Sequence, residues 1–245
     1  MKTLFLTLSL TAIAGLSAKA QAAGPLEITA PVDSIFIPNG FDDNDNVEIV
    51  VKGNFPDTCY QVGKISAAID AKTRIVTVSA SSLRYPGVLC IKTITPFIQS
   101  VKLGALATGD YQAVYADNKN VSSSFKVESR KTESADDYLY ATVENASIDV
   151  NTENGKQSLR LQGHFPYFFV GCMAIKEVRI TRSPSDVLVV LPIAEIVNTE
   201  ICEKQPADHS FEYTSELPES FVGEGLLHVR TLDGMSLNRF LNIKH

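Results

Sequence analysis

The chain contains one stretch twice, and that repeat limits its possible folds more than any other feature. The first copy reads Gly53-Asn54-Phe55-Pro56, followed by Cys59 and, after a β-branched segment, Cys90. The second reads Gly163-His164-Phe165-Pro166, then Cys172 and Cys202. The tetrads stand 110 residues apart, the first cysteines 113 and the second cysteines 112. Upstream, Glu48 to Gly53 answers Ser158 to Gly163. Downstream, Gly109 to Asp117 answers Gly225 to Asp233. Short loop insertions produce this small drift in offset. Any two β-rich domains share some strand pattern, but matched cysteines with spacings of 31 and 30 positions point to duplication.

Residues 1–22 have the form of an export signal. Lys2 supplies the charged start, Leu4 to Leu16 is apolar, and Ala18-Lys19-Ala20 and Ala20-Gln21-Ala22 offer small-x-small cleavage sites. The apolar run is short for a membrane span, no cysteine marks a lipoprotein, and no later stretch reads as a span. The expectation is a bacterial periplasmic or secreted protein with no membrane insertion. Cleavage would remove two lysines from a chain whose formal charge is already −6, which disfavours a nucleic-acid partner.

The remaining chain suits two domains of ordinary size. The first is placed at residues 24–127 and the second at residues 138–245. Between them the polar, mixed-charge stretch 128–137 reads as a linker. Strand candidates rich in β-branched residues include Val47 to Val51, Ile75 to Val78, Val88 to Ile94 and Tyr111 to Tyr115. In the second half they include Leu159 to Leu161, Val178 to Ile180, Val187 to Leu191 and Leu226 to Val229. Pro38-Asn39-Gly40 and Pro86-Gly87 mark turns. Helical periodicity is poor throughout, so the fold expected is all-β.

The stretch Leu106 to Val114 resembles the entry into a late strand of immunoglobulin-like and fibronectin-like sandwiches, where a tyrosine ties down the preceding corner. Tyr111 takes that place, and Leu227 is its expected counterpart in the second copy. The resemblance implies two tandem β-sandwich domains, and the absence of tryptophan excludes an antibody-type core.

Cysteines in an exported chain favour disulfides, and the repeat selects Cys59–Cys90 and Cys172–Cys202. Neither a Cys-x-x-Cys motif nor a histidine at ligand spacing supports a metal or redox site instead. Asp42, Asp43, Asp45 and Glu48 are close enough to suggest a weak calcium loop, though the EF-hand glycine and terminal glutamate are missing. An ordinary polar loop is the competing reading. His164, His209, His228 and His245 lie in no hydrolase or metalloprotease motif, so no catalytic residue and no cofactor is expected. Tyr167, Phe168 and Phe169 form an aromatic insertion in the second copy, suited to a partner-binding anchor or to core packing.

The function expected is non-enzymatic binding of a protein or cell-surface partner. An assembly chaperone of two immunoglobulin-like domains, and a hydrolase or protease inhibitor with a site at the domain interface, are the alternatives.

Overall fold

The computed structural model describes residues 24–167, 172–197 and 209–243. The expected export signal lies outside them, as do Phe168, Phe169, Cys202 and His245. The described residues form strands and turns with no α-helix, and so none that could cross a membrane.

The first half is a β-sandwich. Its three-stranded sheet has the order β2 (Val32–Phe36), β3 (Val47–Phe55), β6 (Thr95–Gly104). Opposite it, β5 (Ile75–Arg84) pairs along its length with β4 (Tyr60–Asp70). The other edge of β5 is shared. The parallel strand β7 (Gly109–Tyr115) takes Ile75 to Val78, and β1 (Leu26–Thr29) takes Ser81 to Arg84. Strand β8 (Asn118–Val127) closes the sheet against β7. Val47, Ile49, Val51 and Phe55 point from β3 onto Val76, Val78, Ala113 and Tyr115, forming one core.

The second half repeats this order. One sheet runs β9 (Val143–Val150), β10 (Gln157–His164), β13 (Ser210–Glu216). The other runs β11 (Met173–Ser183), β12 (Val187–Ile196), β14 (Gly223–Thr231), β15 (Met235–Ile243), with β12 and β14 parallel. The place of β1 is taken by Leu139 to Ala141, whose backbone bonds to Pro192 and Ala194 at 2.8 and 2.7 Å.

The sandwich expectation stands in this coarse form, but its immunoglobulin detail is corrected. Immunoglobulin sheets are antiparallel. Here the later strand of each hairpin, β5 or β12, borders a parallel neighbour. A parallel pair needs a crossover, and the connection runs through the opposite sheet as β6 or β13. The strand expected at Val88 to Ile94 is also corrected: these residues form the exposed loop that begins the β5-to-β6 crossover.

The glycines of the two tetrads are fixed by close approach. A Cβ on Gly53 would stand 2.1 Å from the carbonyl oxygen of Pro31 and 2.5 Å from the Phe97 ring. One on Gly163 would stand 2.0 Å from the carbonyl of Thr142 and 3.0 Å from the Phe211 ring. Each tetrad phenylalanine then stacks on the same partner, Phe55 on Phe97 at 4.4 Å and Phe165 on Phe211 at 4.7 Å.

The late strands require a shift in the sequence alignment. The left-handed residues Arg74 and Asp186, with φ of 55° and 56°, immediately precede β5 and β12. Their carbonyls accept from the amides of Gln112 and Leu226 at 3.1 and 3.0 Å. Gly225 rather than Leu227 therefore occupies the place of Tyr111. The Tyr111 hydroxyl donates to the carbonyl of Ala107 at 2.8 Å, as a corner tyrosine does. In the second sandwich, Gln157 holds the corner by accepting from Phe221 N at 2.7 Å and donating to its carbonyl at 2.8 Å.

The two sandwiches pack sheet on sheet into four layers. Phe36 and Val50 of the first meet Val187, Val189 and Leu226 of the second, with Ile98, Leu191 and Phe240 against them. Strands β3 and β14 run in opposite directions across this interface, since Lys52 pairs with Glu224 and Asp45 with Arg230. The two inner sheets are thus covered on both faces, which is why β3, β12 and β14 are buried along most of their length.

Candidate binding surfaces

The expected bridge Cys59–Cys90 is present. It anchors the loop between β5 and β6 to the start of β4. Thr58 reinforces the anchor: its amide donates to the carbonyl of Ile91 at 3.2 Å, and its hydroxyl accepts from the Ile91 amide at 3.0 Å. Beyond this anchor the loop presents Val88, Leu89, Ile91 and Ile94, which are 56, 95, 65 and 72% exposed. These four apolar side chains fall within seven positions, on a loop whose base is pinned by the bridge. Cys172 is buried and disulfide-bonded, while its expected partner Cys202 lies outside the described residues. Tyr167 is 79% exposed, consistent with a surface position for the start of the aromatic insertion.

The four acids considered for calcium are distributed through the junction between the sandwiches. Asp45 accepts from both terminal nitrogens of Arg230 at 3.1 and 3.0 Å. Asp43 accepts from the amide and Nε of Arg130 at 3.2 and 3.0 Å. Asp42 caps the amide of Asn44 at 3.2 Å. Glu48 accepts from Ser236 and, at 3.0 Å, from Asn238. The metal-ligating groups that converge among the described residues are Asp57, Cys59 and Cys90, at the disulfide itself. The segment read as a linker ties into the same junction, because Asn44 donates to the carbonyls of Thr132 and Ser134 at 2.9 and 3.1 Å.

The junction is unusually polar for a buried sheet face. Asp45, Glu48, Lys52, His228 and Arg230 are all buried. Burial holds the Asp45 carboxyl above its ordinary value, with the facing Arg230 guanidinium opposing it. Burial likewise pushes His228 down to about 4. Neutral His228 donates from Nδ1 to Asn238 Oδ1 at 2.8 Å, since the Asn238 amide nitrogen already donates to Glu48. Such groups fix one relative placement of the two sandwiches, because any other placement would leave buried charges unpaired.

His164 contacts Glu144 at 2.9 Å and lies 5.3 Å from the His209 ring, both on the surface. Sequence reasoning missed one concavity altogether. A cleft of about 890 Å³ opens between the turns Ile37 to Gly40 and Ser183 to Ser185 and the end of β5, β7 and β8. Tyr111 and Phe125, stacked at 5.3 Å, lie at its base. No single stretch of sequence signals it, because its walls come from turns of both halves.

A family model described as the ORF11 beta-sandwich domain matches residues 49–127. The matched segment runs from β3 to the end of β8 and agrees with the sandwich seen there. No curated protein and no solved structure matches the chain.

Proposed function

We propose that this is an exported, non-enzymatic binding protein that captures a protein partner with the Pro86–Ile94 loop of its first sandwich. The observation carrying this reading is the disulfide-pinned exposure of Val88, Leu89, Ile91 and Ile94. Water-facing aliphatic side chains grouped on one loop favour burial against a partner. Fixing the loop before contact removes much of the ordering cost of binding. We further infer that the two sandwiches arose by duplication, as their matching strand order, tetrad glycines and left-handed turn residues support. Cys172 then pairs with Cys202, as Cys59 does with Cys90.

The test is a crosslinked pull-down from the producing cell's envelope fraction and medium, read by mass spectrometry. Leu89→Ser with Ile91→Ser should abolish capture and leave the melting temperature nearly unchanged, since exposed positions shift stability by roughly 0.5 kcal/mol or less. Capture that survives the double substitution removes the loop from the proposal. Non-reducing digestion of the same protein should yield a Cys172–Cys202 linked peptide, and its absence would count against the second bridge.

A further inference from the structure

The junction cleft is lined by an exposed arginine, Arg74, that forms no ion pair among the described residues. Arg74 ends the turn between β4 and β5, where its amide donates to the carbonyl of Asp70 at 2.7 Å. Its φ of 55° is a conformation that Gly, Asn and Asp adopt far more readily than arginine. The counterpart in the second sandwich is Asp186, whose side chain pairs locally with Arg182 at 2.7 Å. Backbone needs alone therefore do not account for an arginine at this position. Strained residues of this kind cluster where a side chain serves a site.

The guanidinium of Arg74 lies against the backbone of Gly109, where a Cβ would stand 2.0 Å from Nη1. On its other side the guanidinium lies 5.9 Å from the Tyr111 ring centroid. Arg74 makes no hydrogen bond or ion pair through its side chain among the described residues. The other charged groups lining the cleft partly neutralise one another: Lys126 pairs with Glu128 at 2.9 Å, and Asp110 also faces Lys126. Asn39, Gln112, Thr73 and Ser124 line the same cleft and carry neutral polar side chains.

We propose that this cleft binds a polar, carboxylate-bearing ligand, with Arg74 taking the carboxylate and the neighbouring amides and hydroxyls taking its neutral polar groups. A guanidinium offers a planar fork that matches a carboxylate bidentately. The cleft's size and its position between two sandwiches are those of small-ligand sites. The carboxylate could belong to an acidic sugar or to a peptide C-terminus, and both present the same charge to the same fork. This site is separate from the apolar loop, so its failure leaves the binding reading above intact.

Isothermal titration of the disulfide-intact protein tests the assignment. The probes are trigalacturonate with neutral galactotriose, and tetra-alanine with its C-terminal amide. At least one acid should bind where its neutral counterpart does not, and whichever acid binds identifies the source of the carboxylate. Arg74→Asn should weaken that binding by about ten- to a hundredfold. The melting temperature should hold or rise in this variant, because asparagine suits the left-handed turn. Arg74→Lys keeps the charge without the fork and should bind between the two. Failure of both acids to bind at millimolar concentration, equal binding of the neutral probes, or undiminished binding by Arg74→Asn overturns the proposal.

Discussion

The two sandwiches share strand order yet present opposite outer faces. On the three-stranded sheet of the first, Val50 and Lys52 point into the interface, with Phe36 beside them. The matching positions on β10 are Arg160 and Gln162, where Arg160 and Gln162 both reach Glu212 at the surface. The larger sheet of each sandwich shows the reverse. Val187, Val189 and Leu226 are buried against the first sandwich, whereas their counterparts Ile75, Thr77 and Gln112 are partly or fully exposed. Interior-facing residues therefore specify the sandwich, and outward-facing residues specify which sheet docks on which. The polar outer faces also end the stack at four layers, as capping units do in repeat proteins.

The most severe test of this comparison is to remove one charge from the docking face. Arg230→Ala would leave Asp45 buried beside no counter-ion, at a cost of about 3–5 kcal/mol. The carbonyl of Gly40, which Arg230 also holds at 3.0 Å, would lose its partner as well. Urea denaturation should then show a lower midpoint and two separable transitions, since the interface would no longer couple the sandwiches. The corresponding outer-face change, Arg160→Ala, touches only the exposed pair with Glu212 and should be nearly silent. Equal losses for the two variants would refute the assignment of one face to docking and the other to solvent.

How much of this was legible in the sequence depended on whether a residue's role was local. The tetrads, the Cys59–Cys90 bridge and the corner role of Tyr111 could be read because each depends on nearby spacing. The segment Val88 to Ile94 could not. Its β-branched composition suits a strand, but the turn at Pro86-Gly87 and the anchor at Cys59 leave it as an unpaired loop. Alignment of Tyr111 with Leu227 rather than Gly225 failed for another reason. A shift of two residues preserves the inside–outside alternation of a strand, so pattern alone cannot detect it. The acids from Asp42 to Glu48 resembled a metal loop because their partners, Arg130, Arg230, Ser236 and Asn238, are distant in sequence. The cleft was hidden likewise, being assembled from turns of both halves.

The two corners give a finer test of how the copies diverged. Each must hold the chain entering a late strand, but they do so with different exposure. The Ala107 carbonyl held by Tyr111 is at an exposed residue, so water can replace the hydroxyl. Phe221, held by Gln157, is 1% exposed, and water cannot easily satisfy its backbone once the amide is removed. Tyr111→Phe should therefore cost about 1 kcal/mol, the ordinary net value of a hydrogen bond. Gln157→Met, close in volume, leaves a buried donor and a buried acceptor and should cost about 2–3 kcal/mol. Urea midpoints at constant slope would measure both. Should Tyr111→Phe prove the costlier, burial would not govern the difference, and the hydroxyl's bond to Ala107 would outweigh the buried pair, because the ring stacked on Phe125 survives the substitution. Comparing Tyr111→Phe with Phe125→Leu would then isolate that contribution, because the first keeps the stacked ring pair and the second removes it.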